Sequence, residues 1–480
     1  MAESRFQSAP MPSWREGSKQ KVLGADYNIY EPSPHLNDDF PTQLEFELSS
    51  SQAWMFGPMT RFYVEGTFQG KGATDATWVP LAAAEYDKLV VAPNWWDMLV
   101  KSIDVFNGNV KITTSDEAKY IAAHLNTYLY AMMDPLAKKL LCPEPASPGN
   151  GVPLKLKGWS SVAAEGTEWQ NYAKLIFTES NIGFHYIPLH VFPFFQYCNY
   201  LVDNSTPVGL PMPNLDKITI RINFVEKPDG IFKRIGDNKK QYRFHLTKFD
   251  LMIEEARLSP AMEKSFFSKN NRIAYSGLTK VMRAENIQEG TTTYKCHIPA
   301  VPLPEGIFIF ALNKNVISGN YSYQNNTDMN VFSPHNIKSF SFFYDGKPYA
   351  IREYNPGQIN LPGIEVKSLV DHMIAPPFGM LQSDKELTLA SVEEGAKNTP
   401  YPHVYVNLTN YGDKTRIVPL LNDGSILSKF GDIDINLTFG TGLVGKDLTY
   451  FLYMFYTDIN TILDVKTNSF HSPYILKASQ

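Results

Sequence analysis

Along most of this chain apolar and polar residues alternate with a period of two, the signature of strands that bury one face and wet the other. Asp432–Phe439 (DIDINLTF) alternates at all eight positions, and Lys217–Phe224 (KITIRINF) does the same. Further strands are expected at Gln43–Leu48, Thr60–Phe68, Ser102–Phe106, Leu175–Phe177, Leu246–Ile253, Gly306–Ala311, Ile337–Tyr344, His403–Leu408 and Leu448–Asp458. Turn residues punctuate them: Asn107-Gly108, Asp229-Gly230, Asp345-Gly346 and Asn422-Asp423-Gly424. One long helix is predicted. Thr114-Ser115-Asp116-Glu117 has the form of a capping box, and Ile121, Leu125 and Leu129 recur at helical spacing until Pro135. Short strands separated by 33 prolines and 30 glycines point to sandwiches or barrels.

The alternation also repeats on a larger scale. Ile218/Ile220/Ile222/Phe224 matches Ile433/Ile435/Leu437/Phe439 in phase, each set ending in Phe. Val100–Phe106 followed by Asn107-Gly108 parallels Ile337–Tyr344 followed by Asp345-Gly346, with one extra residue before the second turn, as a bulge or a longer strand would give. Leu44–Leu48 and Phe244–Phe249 are read as opening the two halves. Three matches in one order predict two similar β-sandwiches in tandem, a division suited to a length of 480 residues. The expected layout is an arm over 1–39 and a first sandwich over 40–228 with an insert at about 142–168. A charged linker follows over 229–241, then a second sandwich over 242–467 with an insert at about 355–402, and a tail over 468–480. The arm has too little apolar periodicity to fold alone and is expected to pack against neighbouring molecules.

Composition narrows the function. Net charge is −5 and charged residues are 19% of the chain, so there is no basic excess for wrapping nucleic acid. No stretch approaches the about 18 uninterrupted apolar residues of a membrane span. Aromatics reach 13%, a payload that suits large permanent interfaces. Cys142, Cys198 and Cys296 are far apart, odd in number and without CxxC spacing, which argues against a disulfide framework or a thiolate zinc site and for a reducing compartment. The opening residues lack a basic region followed by an apolar one, so no signal peptide is expected. The sequons at Asn204, Asn320, Asn325, Asn407 and Asn436 are accordingly read as by-products of an Asn-rich chain.

Candidate chemistry is sparse. Gly440–Lys446 (GTGLVGK) fits both GxGxxG and GxxxxGK, but Asp447 stands where a phosphate loop needs Ser or Thr, and the aromatic run after it is strand-like. A hairpin connection is expected instead. His185 and His190 are five apart, on opposite faces of a strand, with Cys198 alone nearby. Asp432 and Asp434 share a strand face as paired glycosidase carboxylates do, yet their alternation partners are all polar and a solvated face accounts for them. Glu254-Glu255 reads the same way. Lys233-Arg234 and Lys239-Lys240 are interleaved with Asp229 and Asp237 in the linker. No Ser in a GxSxG context, no HExxH and no Cys/His pair with family spacing is present. No catalytic, cofactor-binding or metal-binding residue is assigned, no cofactor is expected, and the chain is expected not to be an enzyme.

Particular blocks do carry a resemblance. Asn94–Gly108 (NWWDMLVKSIDVFNG), followed by the Tyr120–Tyr130 segment, resembles a block in the first jelly roll of the hexon-like capsid proteins of Polinton/Maverick elements and adintoviruses. Leu303–Leu312 (LPEGIFIFAL), Gly319, Val331–Lys338 (VFSPHNIK), Asp345-Gly346 and Pro348 follow one another as similar signatures do in that family. Gly431–Phe439 resembles its closing strand. The family's Asn-Pro-Phe is here Asn330-Val331-Phe332-Ser333-Pro334, and the inserts match nothing in it. The similarity spans residues 40–465 as scattered short signatures. It implies an all-β double jelly roll with loop insertions and a short helix in the first unit. It further implies a structural major capsid protein of an icosahedral double-stranded DNA virus or virus-like element, with homotrimers forming pseudo-hexagonal capsomers. The implied partners are itself, neighbouring capsomers, and penton and minor capsid proteins. The implied location is the virion shell, after synthesis in the host cytoplasm. Two other readings compete: a carbohydrate-binding or carbohydrate-active sandwich using Trp95, Trp96 and Trp159 as sugar platforms, and a minor capsid or spike component.

Overall fold

The computed structural model describes residues 22–48, 54–56, 61–82, 84–85, 89–91, 95–107, 110–111, 180–186, 210–212, 218–234, 239–258, 260–261, 272–275, 281–287, 291–302, 306–313, 337–353, 403–407, 430–439, 448–455, 461–464 and 469–471. Sixteen strands build its two main bodies. In the first half they are β1 (Val22–Tyr30), β2 (Gln43–Leu48), β3 (Arg61–Lys71), β4 (Val100–Asn107), β5 (Val110–Lys111), β6 (Asn181–Tyr186), β7 (Ile218–Phe224) and β8 (Gln241–Leu258). In the second they are β9 (Val281–Ile287), β10 (Thr293–Pro302), β11 (Gly306–Asn313), β12 (Ile337–Tyr344), β13 (Lys347–Glu353), β14 (His403–Asn407), β15 (Phe430–Phe439) and β16 (Leu448–Phe455).

Pairing is antiparallel throughout and follows one plan twice. The first half forms a seven-stranded sheet whose main ladder is β1-β8-β3-β6, extended by Trp54–Phe56, Val79–Pro80 and Leu210–Met212, and a second sheet β2-β7-β4-β5; the second half forms β9-β16-β11-β14 and β10-β15-β12-β13. Every strand of the second half thus repeats the place of the strand eight earlier. Within each half the first strand lies beside the last, the second beside the seventh, the third beside the sixth and the fourth beside the fifth. That is a long antiparallel hairpin wrapped on itself, the jelly-roll order. The fold is all-β, two jelly rolls in tandem.

The equivalences refine the expected repeat. Val100–Asn107 and Ile337–Tyr344 are both fourth strands of their rolls, and Ile218–Phe224 and Phe430–Phe439 both seventh strands. The third match does not hold: Leu44–Leu48 lies in β2, whose counterpart is β10, whereas Phe244–Phe249 lies in β8, whose counterpart is β16. The extra residue before the second turn is neither a bulge nor a longer strand. Asn107 pairs with Val110 and Tyr344 with Lys347, so both hairpins close on two residues and the glycine has moved within the turn. Gly346 takes φ +70° after Asp345 at φ +50°, the left-handed pair such a turn demands.

Three stretches expected outside the sandwiches contain paired strands, and one expected in the second sandwich belongs to the first. Val22–Tyr30, within the expected arm, pairs with Leu251–Leu258. Its sequence, VLGADYNIY, lacks strict alternation. Gln241–Leu258, read as the end of the linker and the start of the second sandwich, pairs with β3 from Lys71 to Arg61 and closes the first roll. The linker itself contributes Phe232–Arg234, paired with Leu89–Val91. The tail begins with Ser469–His471, paired with Thr461–Asp464. The helix expected from Thr114, the strand at Leu175–Phe177 and both inserts lie outside the described residues.

Alternation places the core. In the first roll Leu44, Phe46 and Leu48 of β2 and Ile218, Ile220 and Ile222 of β7 face Phe62, Val64 and Phe68 of β3. A short helix, α1 (Trp95–Leu99), inserts two fully buried indoles, Trp95 and Trp96, at right angles to each other with centroids 5.7 Å apart. Trp95 packs edge-on against Phe244 at 4.8 Å and Phe68 at 5.2 Å, a geometry that adds to simple area burial. On β8 the buried positions run Tyr242, Phe244, Leu246, then Phe249, Leu251, Ile253: a bulge at Thr247 shifts the phase by one. Gly66 sits opposite, where a Cβ would fall 2.3 Å from the Phe244 ring. The second core is aliphatic where the first is aromatic, with Ile307, Ile309, Ile433, Ile435 and Leu437 around Phe340 and Phe342.

Candidate functional site

Among the described residues no three His, Cys, Asp or Glu side chains converge in a way that could hold a metal ion. The predicted decoys scatter. Gly440–Lys446 lies outside the described residues, but it connects β15 to β16, so a strand follows it where a phosphate loop requires a helix. His190 and Cys198 lie outside as well. Asp434 accepts from the exposed His297 ring at 2.7 Å, and the exposed Asp432 donates its backbone N–H to Asp345 Oδ1 at 3.1 Å. The two aspartates stand on the wet face of a packed sheet, with Ile433 and Ile435 inward. Lys240 is ion-paired with Glu85, which lifts the lysine pKa through the hydrogen bond between them. Glu254-Glu255 falls in β8 beside β1. Trp95 and Trp96 are walled in by Phe68, Phe184, Phe224 and Phe244 and offer no face to a sugar. Trp159 lies outside the described residues.

The structured polar chemistry lies instead on the outer faces of the sheets. On β1-β8-β3-β6, the outward side chains of three strands meet. Tyr63 donates to Glu65 at 2.5 Å, and Lys248 reaches Asp250 at 3.3 Å while its ammonium lies 5.5 Å from the centre of the Tyr63 ring. Arg61 Nε–H donates to His185 Nδ1 at 3.2 Å, and the His185 ring tilts against Tyr63 at 5.1 Å. Asp250 is buried although it points away from the core. The bond to Glu65, with burial, pushes the Tyr63 phenol up to about 12. Burial, with the Arg61 charge, pushes His185 down to about 4.

The other sheet of the first roll is laced differently. Arg221 pairs with Glu45 at 2.6 Å and lies over the Phe106 ring at 4.9 Å. The Asn223 amide donates to Ser102 at 2.8 Å and to Asp104 at 3.2 Å, both buried on an outward face. The equivalent face of the second roll carries Asn436 donating to Ser341 at 3.3 Å and Ser339 bonded to Thr438. These contacts are cross-strand ties that lock neighbouring strands in register. Nothing in the one-dimensional pattern marked Arg61, Tyr63, Lys248 or Asp250, because their association depends on register across three strands.

No family model and no curated protein matches the chain. Solved structures do. A chain in the 3.5 Å cryo-EM structure of the Sputnik virophage is 10% identical, with a TM-score of 0.50 over 100% of this chain and 95% of that one. The mavirus major capsid protein is 12% identical with a TM-score of 0.46, over 100% and 98% of the two chains. The Faustovirus major capsid protein is 9% identical with a TM-score of 0.43, over 91% and 90%. At such identities the Sputnik likeness is one of fold, extending over the full length of this chain.

Proposed function

We propose that this chain is the major capsid protein of an icosahedral double-stranded DNA virus or virus-like element, a structural and non-enzymatic subunit. The observation that carries the reading is the duplicated topology: two jelly rolls with identical strand order in one polypeptide. A subunit made of two similar blocks gives a trimer six blocks around its axis, and a near-hexagonal outline tiles a closed shell. Jelly rolls suit this role because their edges and loops vary without disturbing the core. The full-length fold likeness to a Sputnik virophage chain supports the reading, and the blocks that resemble those of Polinton/Maverick and adintovirus hexon-like proteins agree with it. The partners are further copies of the chain, then penton and minor capsid proteins, and the protein resides in the virion shell.

Light scattering on the purified full-length chain tests this directly. A mass of three times 54.3 kDa is expected, with pseudo-hexagonal particles in negative stain. A strictly monomeric species at micromolar concentration overturns it.

A further inference from the structure

The hairpin from β12 to β13 turns through Asp345-Gly346, two exposed residues at φ +50° and +70°. An aspartate followed by glycine carries a latent reaction, because the glycine nitrogen has no side chain beside it to hinder attack on the aspartate carboxyl. On the glycine side this turn is open: nothing lies within 4 Å of where a Cβ on Gly346 would stand.

The aspartate side is held. Asp345 N–H donates to the Asp432 carbonyl at 2.9 Å, and Asp432 N–H donates back to Asp345 Oδ1 at 3.1 Å. The carboxyl group is thereby drawn out of its own turn and onto β15. It fills the place a side chain at Gly431 would take: a Cβ there would fall 2.4 Å from Oδ1 and 2.7 Å from Cγ of Asp345. Asn107 lies opposite Ile218 as Tyr344 lies opposite Ile433, so in sequence Gly108 and Asp216 correspond to Asp345 and Gly431. The strand glycine is present in the roll whose turn carries the aspartate and absent from the other.

We propose that Asp345-Gly346 is a site of backbone isomerisation, held closed by the Asp432 N–H and by the space at Gly431. In the reaction the Gly346 nitrogen attacks Cγ of the neutral Asp345 carboxyl. The N–Cγ bond forms, the amide hydrogen and the carboxyl hydroxyl leave as water, and a cyclic imide results. Water then reopens the ring. Attack at Cγ restores aspartate; attack at the main-chain carbonyl leaves isoaspartate, whose chain runs through Cβ and Cγ. That detour lengthens a turn that closes on two residues between Tyr344 and Lys347, and it takes the acceptor away from Asp432. Attack requires Cγ to swing back over Gly346, so the bond from Asp432 must break first. Losing one bond to a carboxylate slows the reaction about tenfold or more. The site belongs to the single chain and stands independently of the capsid reading.

Incubating the full-length protein in water enriched in heavy oxygen, then digesting it in ordinary water, tests this. Every passage through the imide leaves one heavy oxygen at Asp345, whichever product forms, and peptide mass spectrometry reads it. Label at Asp345 is expected to appear about tenfold or more slowly in the folded protein than in the guanidinium-unfolded chain. Gly431→Ala evicts the carboxyl group and should speed labelling at Asp345 by about the same factor. Asp229-Gly230, in the short 3-10 turn Pro228–Ile231, is the reference site and should keep its rate. Equal rates at Asp345 in folded and unfolded wild type overturn the proposal. So does a Gly431→Ala protein in which Asp345 labels no faster, or in which both sites speed up alike. If Gly431→Ala does not fold, Asp345→Asn decides. Its amide oxygen keeps the bond from Asp432, and its loss of ammonia should be about tenfold slower folded than in guanidinium, equal rates again overturning the proposal.

Discussion

Lys101 and Lys338 occupy one place in two jelly rolls: each is the extra residue of a β-bulge. On β4, Ser102 pairs with Asn223 and Val100 with Phe224; on β12, Ser339 pairs with Thr438 and Ile337 with Phe439. In both strands an exposed lysine is skipped opposite the terminal Phe of the neighbouring strand. The skip explains why Val100, Ile103 and Val105 can all face inward despite their uneven spacing.

Deleting Lys101 should therefore do more than removing its charge. Without the bulge residue, Val100 swings to the wet face or the rest of β4 slips its register. We expect a loss of about 2 kcal/mol or more in urea unfolding, against less than about 0.5 kcal/mol for Lys101→Ala. Equal effects of the two variants would show that the bulge is dispensable.

The paired indoles set the stability of the first roll. Trp96→Ala should cost about 3–5 kcal/mol, since the site is walled by rings that cannot collapse into the space. Tyr186→Phe, which takes one hydrogen bond from the buried Asp97, should cost about 1–2 kcal/mol. Phe106→Ala, on the wet face under Arg221, should cost less than either. Chemical denaturation followed by tryptophan emission ranks the three.

Two glycines are required for different reasons. Gly66→Ala forces a Cβ to 2.3 Å from Phe244 and 2.6 Å from the His245 carbonyl, and should cost about 1–3 kcal/mol through displacement of that ring. Gly346→Ala meets no atom within 4 Å and is disfavoured solely by its φ of +70°, at about 1 kcal/mol. Thermal unfolding should show the larger drop for Gly66.

Alkaline titration should find two late phenols among the described residues. Tyr63, bonded to Glu65, and Tyr344, buried beside Asp345, both ionise at about 12 in the fold rather than at 10.0. A raised phenol pKa stabilises the fold below pH 10, and that contribution is lost as pH rises from 10 towards 12, because the unfolded chain ionises first. Ultraviolet absorbance should show Tyr63→Phe and Tyr344→Phe each removing one late step. A variant that leaves the titration curve unchanged would refute the assignment for that residue.

Much of the architecture was legible before any coordinate. Strands with unbroken alternation, such as β7 and β15, announced themselves because a buried face against a wet one enforces period two. Ile337–Tyr344 was legible to the residue. The strands that escaped were those whose pattern is interrupted for a structural reason. Across β8 the bulge at Thr247 breaks the period, and only a short piece of it was read, as the wrong strand of the wrong half. In β1, Gly24 and Asp26 break the apolar run, and only the ladder to β8 reveals a strand.

What the sequence determined by itself is local and periodic: all-β content, two similar halves and buried apolar stripes. Alternation is a property of neighbouring residues, so it survives in one dimension. What the tertiary structure decided is which strands meet. Jelly-roll pairing joins β1 to β8 and β3 to β8 across long loops, and neither partner nor register is written in either strand alone. The same holds for His185 and Arg61. They are 124 residues apart in sequence, and become one hydrogen bond only because β6 lies beside β3.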